Sequence, residues 1–223
     1  HTLQVKGFAG EPAGPNADGP FLAPLVEEVA EYAAKLGKPA IVGHSLGGLT
    51  AMEVAAKHPE AVGRLMVVDA LPFYALIFMP TATAESVKPQ AEMMRTQVVA
   101  QSQEQFVAGQ DQVMGMLVKT DAARAAPKAW SAASDRTVVA NAMYEDMIED
   151  ARPLLPQITA PTTVDYAYDA QMGRPPAFVD TMYASAYAGL KDVKLKRVNG
   201  GFHFIMLDQP AAFAAEVAEF LEK

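Results

Sequence analysis

The chain has 223 residues, 51% hydrophobic and 20% charged, with a formal net charge of −8 from 18 basic and 26 acidic side chains. That length buries a full core and fits one domain with room for an insertion. Basic residues are scattered, with only Lys194, Lys196 and Arg197 close together; a binder of phosphate backbones needs a basic patch, so nucleic acid is excluded as a partner.

The chain contains no cysteine, which removes disulfides and thiolate metal sites without fixing a compartment. No apolar stretch approaches the ~20 residues of a membrane span. The sequence opens at His1 without a methionine and shows no signal peptide, so localisation stays open and an upstream segment is expected.

Residues 2–5 read as a short strand ending at Gly7. Residues 10–20 hold Pro12, Gly14, Pro15, Asn16, Asp18 and Gly19, which is loop chemistry. Leu22, Leu25, Val26, Val29, Ala33 and Leu36 then recur at helical spacing, with Gly37 as the stop. A strand over 39–42 leads to Ser45, and an alanine-rich helix over 49–57 ends before Pro59. A third strand spans 65–68 and closes at Asp69. The apolar stretch 70–80 is broken by Pro72 and suits a pocket wall or a lid hinge.

From Phe73 to Pro153 strand signals vanish and Ala, Gln and Met dominate, as in a helical insertion. Strand and helix then alternate again: strand 162–168, helix 176–187, strand 193–198, on which Lys194, Lys196 and Arg197 make a solvated face. Asp208 is placed to cap a last helix carrying Phe213, Val217, Phe220 and Leu221 on one face. This pattern predicts an α/β fold, a mostly parallel sheet flanked by helices. The core is 1–72 with 154–223, and 73–153 is a helical cap.

The chemistry concentrates at Gly43-His44-Ser45-Leu46-Gly47, a serine between glycines where a strand turns into a helix. Such a turn exposes the serine hydroxyl beside a helix N-terminus, and a side chain at either glycine is expected to crowd it. Negative charge developing near Ser45 meets the Leu46 N–H and the positive end of the helix dipole. A serine needs a base, and the base needs an orienting group.

Of four histidines, His1 is terminal and His58 suits a helix C-terminus. His44 adjoins the serine, where its ring is expected to point away. His203 follows the last strand and a glycine turn, at the sheet edge where ligands of such folds collect. For the acid, Asp169 closes the strand over 162–168. Asp69 is the alternative, more suited to bracing a loop, and Asp165 lies inside its strand, where the period of two decides its face. No cluster has metal-ligand spacing and no phosphate loop appears, so neither metal nor cofactor is expected.

Gly43-His44-Ser45-Leu46-Gly47-Gly48, Asp169, Gly201-Phe202-His203-Phe204 and Asp208-Gln209-Pro210 resemble the α/β-hydrolase fold superfamily over nearly the whole chain except the cap. The resemblance implies acyl transfer from an ester to water, with Ser45 as nucleophile, His203 as base and Asp169 as orienting acid. Serine at the elbow argues against haloalkane dehalogenase chemistry. Residues 1–9 resemble the family's Asp-x-x-Gly-x-Gly stretch. The preceding strand, whose loop supplies the second oxyanion N–H in the family, is absent from this sequence. The second donor is therefore expected upstream of residue 1, on a preceding segment or a separate chain that completes the sheet.

His44, Leu71, Phe73, Tyr74 and Phe204 are candidates for the pocket of a small acyl substrate, with medium-length uncharged chains favoured. Two other readings stay open. One is another triad enzyme: a peptidase, amidase, thioesterase, acyltransferase or haloperoxidase-type perhydrolase. The other is a non-catalytic binding protein on the same scaffold.

Overall fold

In the computed structural model, which describes residues 1–17 and 19–222, four parallel strands pair in sequence order: β1 (Ala40–His44), β2 (Arg64–Val68), β3 (Thr162–Tyr168) and β4 (Val193–Asn199). Asp18, within the expected loop, and Lys223 lie outside the described residues. Successive side chains of a strand face opposite sides, so each interior strand feeds two cores. Leu65, Val67, Val164 and Tyr166 join one core with Val26, Leu49 and Val54 from the helices α1 (Leu22–Lys35) and α2 (Leu46–Lys57). Met66, Val68, Ala167 and Val198 join the other, with Ile205 of the short helix α8 (Ile205–Asp208) and Phe220 of α9 (Pro210–Glu222). Each Val, Leu, Ile, Met or Phe among them contributes roughly 1.5–3 kcal/mol when fully buried.

Between β2 and β3 the chain forms α3 (Ala84–Ala100), α4 (Gln103–Leu117), α5 (Asp121–Ala132) and α6 (Arg136–Ile148). Polar side chains start three of them. Thr83 and Ser102 form capping boxes with Ser86 and Gln105, and Asp135 accepts from the N–H groups of Thr137 and Val138. The helix α7 (Pro176–Ala186) connects β3 to β4. Among the described residues no helix is long and apolar enough to cross a membrane.

Two local expectations fail. Residues 2–5 carry no strand: β1 is the first strand of the sheet, and residues 1–5 pair with none of the four. An isolated strand has no ladder to satisfy its amides. Asp208 does not cap the last helix, which begins at Pro210. Its carboxylate turns back to accept from the N–H groups of Phe202 (2.8 Å) and Lys119 (3.1 Å). Two basic side chains of β4 are paired as well as solvated, Lys196 with Glu216 and Glu219, and Arg197 with Asp180.

Asp165 is the costly residue of the sheet. It is fully buried on β3, and neither carboxylate oxygen has a hydrogen-bond partner. Burial pushes its pKa up to about 7, with Glu216 and Glu219 adding to the shift and Lys196 opposing it. A group whose folded pKa is raised favours folding at low pH and loses that contribution as pH rises towards the folded value. Asp165→Asn removes the titration. Urea melts should show the variant gaining on the wild type between about pH 4 and pH 7, then levelling off. A stability difference flat with pH across that range would contradict the assignment.

Candidate active site

Ser45 stands between β1 and α2 with φ 55° and ψ −127°, a conformation that side chains other than glycine rarely adopt. Such a backbone stores on the order of 1–3 kcal/mol of strain. The surroundings hold it there. The Ser45 N–H donates to the Val68 carbonyl of the neighbouring strand at 3.0 Å, and its own carbonyl accepts from Gly48 at 2.7 Å and Leu49 at 3.2 Å. Leu46 is the first residue of α2, so its N–H has no acceptor within the helix.

The two flanking glycines differ in role. A Cβ at Gly43 would stand 2.2 Å from the Gly47 carbonyl oxygen, so the close approach of the two backbones demands glycine there. A Cβ at Gly47 would meet nothing within 4 Å, contrary to the expected crowding. The second steric requirement falls on Gly48, where a Cβ would stand 2.8 Å from that of Ala70.

His203 hangs from the loop after β4, and its Nδ1 lies 2.8 Å from Asp69 Oδ2. A carboxylate only accepts, so Nδ1 carries the hydrogen and Nε2 of the neutral ring keeps its lone pair. Asp69 ends β2 with φ 46°, and its N–H donates to the Asp165 carbonyl at 2.7 Å. Its Oδ1 accepts from the Ala167 N–H at 2.8 Å and the Tyr183 hydroxyl at 3.1 Å. Burial raises the Tyr183 phenol well above its ordinary value, and the Asp69 charge adds to the shift, so Tyr183 stays a donor.

The structure thus pairs His203 with Asp69 and not with Asp169, the expected acid. Asp169 Oδ2 accepts from the Lys119 ammonium at 2.6 Å, and Oδ1 accepts from the Gln171 N–H at 2.9 Å. Lys119 holds the Asp169 carboxyl below the usual carboxylate range. Both acids end strands at the same sheet edge. A lysine from the α4–α5 connection occupies one of them and leaves the other to the histidine.

The pocket candidates divide. Leu71 and Phe73 are buried in the main core. His44 and Phe204 lie against His203: the His44 ring is 4.5 Å from that of His203 and 4.9 Å from that of Phe204. His44 therefore does not point away from the site. Its Nε2–H donates to the His203 carbonyl at 2.9 Å. Burial first, and the neighbouring His203 second, lower its pKa to about 4.

Sequence reasoning missed Asp146, a half-buried carboxyl on α6. Burial pushes it up to about 6, and the only opposing influence is His203. Tyr74 shares this surrounding: burial raises its phenol, with Asp146 and Asp69 adding to the rise. A helical segment so far from the serine in sequence offers no pattern that marks one aspartate as facing His203. A separate cleft of about 670 Å³ lies between α3 and α6, but neither Ser45 nor His203 lines it.

The steric assignment is testable. Gly43→Ala should destabilise the fold by on the order of 3 kcal/mol, since a backbone must move. Gly47→Ala should change stability by less than about 1 kcal/mol. Denaturant melts giving equal losses would refute the division of roles.

Residues 1–216 match the alpha/beta hydrolase family. The chain is 41% identical over 66 residues to an abhydrolase domain-containing protein of Schizosaccharomyces pombe, and 43% identical over 58 residues to an esterase of Mycobacterium tuberculosis. Each match covers 26% of this chain, and the two span 24% and 18% of those proteins. The fold is similar to the crystal structure of a hydrolase from Pseudomonas aeruginosa, with a TM-score of 0.74 and 22% identity over 98% of this chain and 78% of that one.

Proposed function

The chain belongs to the alpha/beta hydrolase family, and on that premise we propose that it is a serine hydrolase cleaving carboxylic esters through an acyl-enzyme. The observation that carries this reading is the 2.8 Å His203–Asp69 hydrogen bond at the sheet edge that also holds the strained Ser45 turn. The esterase among its relatives supports the same reaction class.

In this mechanism Ser45 Oγ attacks the ester carbonyl carbon and its proton passes to His203 Nε2. The tetrahedral oxyanion faces the Leu46 N–H and the N-terminus of α2. His203 returns the proton to the leaving alcohol oxygen as the C–O bond breaks. It then takes a proton from the water that attacks the acyl-enzyme, and finally restores the proton to Ser45. Asp69 accepts the Nδ1–H throughout, holding the tautomer and stabilising the imidazolium. The donors on its other oxygen hold the carboxylate in place. The helical segment 73–153 serves as a cap.

The acyl chain enters past Phe204, Tyr74 and His44. Asp146 ionises above about pH 6, so an anionic acyl group meets like charge near His203. This favours uncharged acyl chains, of medium length.

A fluorophosphonate should place one adduct on the wild type and none on Ser45→Ala, by intact mass. Asp69→Asn should lower kcat by about 10³–10⁴, and Asp169→Asn by about tenfold or less. The opposite ranking would return the orienting role to Asp169. Within p-nitrophenyl esters of equal length, preference for a neutral over an ω-carboxylate acyl chain should grow from about pH 5 to pH 8 and shrink in Asp146→Asn. A preference independent of both would remove Asp146 from the pocket.

A further inference from the structure

The loop that carries His203 is gripped on both sides by the turn between α4 and α5. The Phe204 N–H donates to the Leu117 carbonyl at 3.1 Å. The Phe202 N–H donates to Asp208 Oδ2 at 2.8 Å, and the same carboxylate accepts the Lys119 N–H through Oδ1 at 3.1 Å. The residues immediately before and after the histidine are thus bonded to one turn, directly or through a single carboxylate.

The Lys119 side chain adds a third grip. Its ammonium donates to Asp169 Oδ2 at 2.6 Å and lies 3.4 Å from the Gly200 carbonyl oxygen, so it spans from the end of β3 to the turn that ends β4. Asp169 is in turn fixed by the Gln171 N–H, and Gly200 by the Gln209 side chain at 2.9 Å. The connection itself is braced from behind. Arg124 donates to the Val118 carbonyl at 2.8 Å and to the Lys119 carbonyl at 3.0 Å.

From this network we infer that Lys119 is a positioning residue for the hydrolase reaction. Its turn latches the helical segment onto the His203 loop, so the seating of that segment sets where the imidazole stands relative to Ser45. The inference rests on the serine-hydrolase reading above. A pair that served stability alone would need only the Lys119–Asp169 contact. Here the same turn also accepts the Phe204 amide directly and shares the Asp208 carboxylate with the Phe202 amide. Small displacements of a base matter: a shift of about 1 Å can lower a rate by about 10².

The test measures acylation by a fluorophosphonate per competent site, separating the rate constant from the final adduct stoichiometry. Lys119→Met should acylate about tenfold more slowly while still reaching one adduct per chain. Lys119→Arg, which keeps the charge and the donors, should recover to within about threefold of wild type. Asp169→Asn should shift the rate in the same direction as Lys119→Met, and it decides the matter if the methionine variant fails to fold. An unchanged per-site rate overturns the latch, including one accompanied by a lower stoichiometry, which marks a purely stabilising role. So does an arginine variant as slow as the methionine one. A wild type that takes no adduct overturns the hydrolase reading itself, and so is told apart from a failure of the latch alone.

Discussion

The carboxylate of Asp69 gathers the chain at one point. It lies upstream of the long helical segment, yet every side-chain hydrogen bond it accepts comes from downstream: the Ala167 N–H of β3, the Tyr183 hydroxyl of α7 and the His203 ring after β4. A largely buried carboxylate is tolerated only when its oxygens are well supplied with donors. Its three partners sit on three separate elements, so their placement is a tertiary property. The parallel register makes this possible, because β1, β2, β3 and β4 all end at the same edge.

Much of the frame was legible in the sequence. The strand over 162–168 appears with the expected bounds, and the α2 turn at Ser45 follows from its flanking residues. The acid was not legible in the same way. Asp69 and Asp169 each close a strand at the same edge, and nothing near either one distinguishes them. The difference is made by Lys119, separated from Asp169 by fifty positions, and a helical connection carries no local signal of what its lysine will reach. Asp208 misled for a related reason. A carboxylate beside a helix start reads as a cap, but here the helix begins beyond it and two amides from elsewhere claim it. The strand expected over 2–5 shows the converse limit. Local propensity proposes a strand, and only a partner makes one.

Backbone strain and close approach coincide at the site. Ser45 and Asp69 both adopt positive φ without being glycine, and both lie where a strand gives way to a functional loop. The neighbours over-determine each conformation. Gly43 and Gly48 allow the α2 turn to close against β1 and β2, and the Asp165 carbonyl fixes the Asp69 amide. Asp165 therefore serves the site through its backbone, while its side chain remains an uncompensated burden in the sheet.

The His44 and His203 rings meet at a tilt of 42°. With its ionisation displaced to about 4, His44 stays uncharged across the neutral range, and its Nε2–H is committed to the His203 carbonyl. A second imidazolium 4.5 Å away would repel the charge that His203 must accumulate when it accepts a proton. His44 instead offers a neutral, polarisable wall. Protons arriving at this pair of rings have one place to settle, and it is the ring that Asp69 holds.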